Sequence, residues 1–248
     1  MLALKLLLVP AFVLLVSLAG RRYGPSMAGW LAGLPVVAGP ILFFLAWEQG
    51  PVFAHGAAVL GLSAVAATVS FCLAYAHACR RLPWPLALAV SVGVWVVMAL
   101  LLSALPPSPW LALAVAAVAL LLAPHLSPQV APIVAGREMG PVELAIRVAA
   151  GAALTLGVTL ASERLGPVWS GLLAVFPVLT LVLAVFSHRG QGAAYTAALL
   201  RALVTGLYAF AAFCFVLAHT VPHVGVLAAF GAATLAALVA QAFTRKRR

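Results

Sequence analysis

The residues able to do chemistry in this chain are few, and most lie inside or beside long apolar runs. Arg201 sits about nine residues into one such run, where a guanidinium is costly in lipid and points to a bound anionic group. Pro35 and Pro177 each interrupt an apolar run, and each follows a glycine, Gly29 and Gly171, by six residues. A proline in a helix frees the carbonyl one turn back, and within a membrane that carbonyl can face a solute or ion. Tyr208, with Ser63 and Thr205, offers hydroxyls that can bond across helices or line a path. These residues suggest a substrate site made of Pro35, Pro177, Gly29, Gly171, Arg201 and Tyr208.

The remaining polar residues read as structural. Lys5 and Arg147 stand near helix starts, where long basic side chains snorkel to the interface. Glu48, beside Trp47, falls at headgroup level, so no carboxylate lies at mid-membrane, which argues against an acidic proton relay. His219 and His223 are four apart, but Pro222 is expected to interrupt their shared face, so no metal is expected. Cys72, Cys79 and Cys214 form no framework and read as small buried hydrophobes. Trp169-Ser170-Gly171 faintly resembles the serine motif of rhomboid proteases, but Val168 occupies the position that needs glycine. With no phosphate loop, cysteine cluster or paired carboxylate, neither an enzyme nor a cofactor is expected.

The elements that must position these residues are transmembrane helices. The chain is 66% hydrophobic and 7% charged, with a mean hydropathy of +1.20, and it contains no aspartate. Its net charge of +10 sits between the apolar runs rather than on an aromatic-interleaved face, which excludes a nucleic-acid partner. Runs long enough to cross a bilayer fall at 2–20, 26–47, 52–78, 84–104, 108–124, 142–161, 168–187, 193–219 and 223–243. The first mimics a signal peptide, with Lys5 before the run and Ser17-Leu18-Ala19-Gly20 after it. It is expected to be retained, because the segment at 144–162 matches it internally.

That match is part of a duplication. Shifted by 142, residues 2–78 fall on 144–220 without a gap, with 23 identities over 77 positions. Gly24-Pro25 meets Gly166-Pro167, Gln49-Gly50 meets Gln191-Gly192, and Phe71-Cys72 meets Phe213-Cys214. Nine crossings gather Arg21, Arg22, Arg80, Arg81, Arg137, Arg147, Arg189, Arg245, Lys246, Arg247 and Arg248 on one face. Only Lys5 and Arg164 fall on the other. By the positive-inside rule the C-terminus is cytoplasmic and the N-terminus outside, as in a multi-pass protein of a bacterial inner membrane. The expected fold is all-α: a first four-helix repeat (1–104), a linking helix and cytoplasmic loop (105–141), and a second, inverted repeat with a basic tail (142–248).

The stretch Gly166-Pro167-Val168-Trp169-Ser170-Gly171-Leu172-Leu173-Ala174-Val175-Phe176-Pro177 resembles the Phe-Pro helix of short bacterial inner-membrane proteins of the GlpM type. Those proteins look like one half of this chain. The resemblance implies a doubled small membrane protein and carries no functional residue. The first half departs from it, with Leu34 where the second has Phe176. Inverted repeats suggest a secondary transporter or exporter of a small, anionic solute, working by alternating access. A non-transporting assembly subunit and a passive channel are the alternatives. The expected partners are the lipid bilayer and a small solute, and a homodimer is compatible with the sequence.

Overall fold

The computed structural model of the chain describes residues 2–129, 140–164 and 175–246. Ten helices fill them: α1 (Leu2–Tyr23), α2 (Pro25–Ala32), α3 (Ala38–Gln49), α4 (Pro51–Ala78) and α5 (Trp84–Ser103) come first. Then follow α6 (Pro109–Leu126), α7 (Pro141–Arg164), α8 (Val178–Gln191), α9 (Ala193–Val224) and α10 (Val226–Lys246). Seven of them are long and apolar enough to cross a membrane. Two expected spans differ. The span at 26–47 is split into α2 and α3 by residues 33–37, and only the part of 168–187 from Val175 onward lies within the described residues. The two halves share helix boundaries: adding 142 to the starts of α4 and α5 gives the starts of α9 and α10. Gly50 and Gly192, which join α3 to α4 and α8 to α9, share φ 86° with ψ 174° and 175°, a conformation open in practice only to glycine.

The two longest helices form the axis. His55 donates to the Ala218 carbonyl at 2.7 Å, and the Cys79 thiol reaches the Ala193 carbonyl at 3.7 Å. Low numbers on α4 therefore meet high numbers on α9, so the two run antiparallel. Packing rests on small residues, because lipid and core are equally apolar and close approach supplies the attraction. α5 turns Ala87, Ser91, Trp95 and Ala99 inward, and α6 turns Ala112, Ala116, Leu120 and Ala123, each nearly one residue per turn. The tightest crossing is between α2 and α9. A side chain at Gly29 would strike the Leu199 carbonyl, and one at Gly33 would strike Gly206.

Several polar side chains answer a single need. Pro124 has no N–H for the Leu120 carbonyl one turn back, and the Tyr208 hydroxyl donates to that carbonyl at 3.0 Å. Pro222 likewise strands the Ala218 carbonyl that His55 takes. The α9 helix runs through Pro222 to Val224, contrary to the expected interruption, because its lost bond is replaced from α4. Where α2 ends, Leu34 N–H bonds Leu31, one residue short of helical register. The skipped Trp30 carbonyl accepts from Gln241 of α10 at 3.1 Å.

The bundle has a basic end. Contacts Cys79–Ala193, Tyr75–His188, Arg189–Trp84, His77–Leu126, Gly20–Tyr195 and Arg147–Phe186 bring together the ends of α1, α4, α6 and α8 with the starts of α5, α7 and α9. Arg21, Arg22, Arg80, Arg81 and Arg189 are exposed there. Lys5 near the start of α1 and Arg164 at the end of α7 fall at the other end.

The proline pairings predict a specific interaction energy. Tyr208→Phe should destabilise by about 1–3 kcal/mol, the cost of an orphaned buried carbonyl. In a Pro124→Ala background, where the substitution restores the helical N–H, the same change should cost under about 0.5 kcal/mol. Unfolding in mixed detergent micelles across the four variants measures the difference, and equal costs in both backgrounds would refute the pairing.

Candidate functional site

A break between helices lies at Pro35, and a non-helical turn at Pro177 leads into α8. The first covers residues 33–37, and in the second Pro177 has φ −81° and ψ 61° while Val178 N–H bonds the Phe176 carbonyl at 2.8 Å, an inverse γ-turn. Moved by 142, residues 33–35 land on 175–177. The Leu31 carbonyl one turn before Pro35 is taken by Leu34 N–H at 3.1 Å, and the Pro35 and Pro177 carbonyls accept from Gly39 and Leu181. The carbonyl one turn before Pro177, that of Leu173, lies outside the described residues.

The interruptions converge on one place. Val37 from the first, and Val178 and Leu179 after the second, pack on a cluster of Val9, Val13 and Val182, with Leu154 of α7 beside them. Val37 and Leu179 are duplication partners, as are Val9 and Gly151. A side chain at Gly151 would lie 3.3 Å from Val13 and 4.0 Å from Val9. Phe176 stacks edge-on against Trp95 of α5 with centroids 5.0 Å apart. Trp95 is 2% exposed, and its indole N–H has no partner among the described residues. The convergence is thus apolar, with one buried donor beside it.

The polar chemistry lies nearer the basic end. Arg147 is only 2% exposed, which corrects the expectation that it snorkels to the surface. Its Nη2 donates to Glu143 at 2.6 Å and to the Phe186 carbonyl at 3.2 Å, and the guanidinium lies over the Phe186 ring. One turn of α7 delivers Glu143 to it, and the end of α8 delivers the carbonyl. Gly190 keeps the space clear: a side chain there would lie 2.7 Å from Glu143 Oε1. Among the described residues the buried Arg147 Nε–H finds no partner, nor do the hydroxyls of Ser187, next to Phe186, and Ser17, one turn before Gly20. Tyr195 of α9 meets Gly20 through its hydroxyl. A buried guanidinium with a free donor and hydroxyls at the same end can hold an anionic oxygen. The i,i+4 spacing of Glu143 and Arg147 was the available signal for this pair, but spacing alone carries no burial.

The other expected site residues disperse. Gly29 serves the α2–α9 crossing, and Tyr208 serves Leu120, so both are committed to packing. Arg201 is exposed on the outer surface of α9, away from the interruptions. The contacts Trp110–His219 and Tyr208–Leu120 show α6 and α9 running antiparallel. Continuing that register brings Arg201 to within about one turn of Leu126, where α6 ends. Arg201 is thus in the third turn of the 32-residue α9, exposed at the level where α6 ends. Gly171 lies outside the described residues, as does most of the 166–177 stretch. His219 donates to the Phe215 carbonyl of its own helix and packs on Trp110. Among the described residues, no three His, Cys, Asp or Glu side chains gather into a metal site.

The buried pair makes a checkable statement. Arg147→Ala or Glu143→Ala alone should destabilise, the arginine more, because Glu143 keeps 33% exposure and water. A double-mutant cycle should return a coupling of about 1–2 kcal/mol. Additive losses would show that the two do not interact. No family model, no curated protein and no solved structure matches this chain.

Proposed function

We propose that this integral membrane protein is a secondary transporter of a small solute, built from two inverted repeats joined by α6. The observation that carries the reading is the antiparallel packing of the duplication partners α4 and α9. Duplicated units that pack antiparallel on each other are related by an axis in the membrane plane, which is the architecture of alternating access. The break at 33–37 and the turn at 175–177 occupy matching places in the two units, and broken helices give such transporters their moving parts. With the seven long helices, these two interrupted spans make nine crossings. The basic end is the cytoplasmic one, which puts the N-terminus outside and the C-terminus inside a bacterial inner membrane. An anionic solute fits best, because Arg147 is the one buried guanidinium among the described residues and keeps a free N–H.

A second reading, a membrane assembly subunit that moves nothing, is favoured by one observation: the convergence of the interruptions is lined by valine and leucine. Transport requires that convergence to open, and a structural subunit requires it to stay packed.

Reconstitution decides between them. Proteoliposomes should take up at least one member of a panel of small organic and inorganic anions. Arg147→Gln should lower that uptake about tenfold or more, and Pro35→Leu with Pro177→Leu should do the same. A folded, correctly inserted protein that moves neither anions nor neutral solutes would leave the subunit reading standing.

A further inference from the structure

At the basic end, an open cavity of about 290 Å3 is lined by His77 in the last turn of α4 and by Arg80 and Arg81 in the turn that follows. Both arginines are exposed, and neither makes an ion pair with a described residue. The His77 ring is held in place, donating from Nε2 to the Leu126 carbonyl at the end of α6 at 2.8 Å. That bond ties the cavity to α6. From it an exposed apolar face descends α6 through Leu126, Leu122 and Val118, one residue per turn. On α5, which packs on α4, Trp84 and Leu86 are also exposed at this end, and Arg189 lies over the Trp84 ring. A tryptophan and basic residues at a helix start mark the headgroup level of a membrane.

We propose that this cavity is a binding site for the headgroup of an anionic phospholipid, its phosphodiester held by Arg80 and Arg81 and its acyl chains lying along the exposed face of α6. Two guanidiniums side by side present the fork geometry that matches phosphate oxygens. The cavity is larger than a bare phosphate needs and accommodates a phosphoglycerol unit. The apolar track leading from it selects a lipid over a free anion, because only a lipid has both ends to satisfy. Basic pockets between helix ends on one side of a membrane recognise lipid headgroups by this combination. The site is separate from the buried Arg147 and does not depend on transport.

The test uses the full chain, delipidated in a neutral detergent, with thermal midpoint read against added lipid. Phosphatidylglycerol should raise the midpoint with a half-saturating concentration at least about fivefold lower than phosphatidylcholine. The double variant Arg80→Gln, Arg81→Gln should lose that preference. Arg21→Gln with Arg22→Gln, which removes the same charge from the same end, should keep it within about twofold. If the first double variant does not fold, Arg81→Gln alone should raise the half-saturating concentration about threefold. Three results would each overturn the proposal: equal loss in the two double variants, equal protection by phosphatidylcholine, or equal protection by millimolar inorganic phosphate.

Discussion

Lipid offers no hydrogen bonds, so every backbone group that leaves helical register must find its partner inside the protein. This constraint accounts for several of the polar residues here. Tyr208 goes to the carbonyl stranded by Pro124, His55 to the one stranded by Pro222, and Gln241 to the one skipped at Trp30. His77 serves the carbonyl at the end of α6, and Arg147 one further back in α8. These bonds all cross between helices. A break in one helix is therefore a joint to another, and the prolines specify the pairings of the bundle.

The two units have diverged around that common frame. Their helix starts and glycine joints coincide, yet most of the strongest polar features have no polar counterpart across the duplication. Arg147 corresponds to the basic Lys5, but Ser187 corresponds to Leu45, Tyr195 to Phe53 and His55 to Ala197. The second unit has a buried ion pair, while the first unit supplies Ser17 and Gly20 to the same end. The backbone frame is thus more nearly shared between the units than the side chains it carries.

Much of the backbone is legible in the sequence, because span length and breakers are strong signals in a membrane protein. The spans at 52–78, 84–104 and 108–124 match α4, α5 and α6 to within about two residues, and the break at Pro35 is visible. Depth and facing are not legible. Counting from the start of an apolar run puts Arg201 well inside a span, whereas in the fold it is exposed at the level where α6 ends. Gly29 reads as lining a path from its place before a proline, yet it is a point of backbone contact with α9. Hydropathy cannot separate a face turned to lipid from one turned to protein, since both are apolar. Residue size does so better: the inward faces of α5 and α6 are mostly alanine and the outward ones leucine and valine.

The bonds that join Trp30 to Gln241 and Thr244 span more than two hundred residues. Along a chain made from its N-terminus, α2 is written near the beginning and α10 is the last helix of this sequence. The joint at the end of α2 therefore forms only once α10 has been made, and until then α2 has its glycine crossing with α9 and its packing on α1. A bond laid across so many residues makes the first break wait on a helix written long after it.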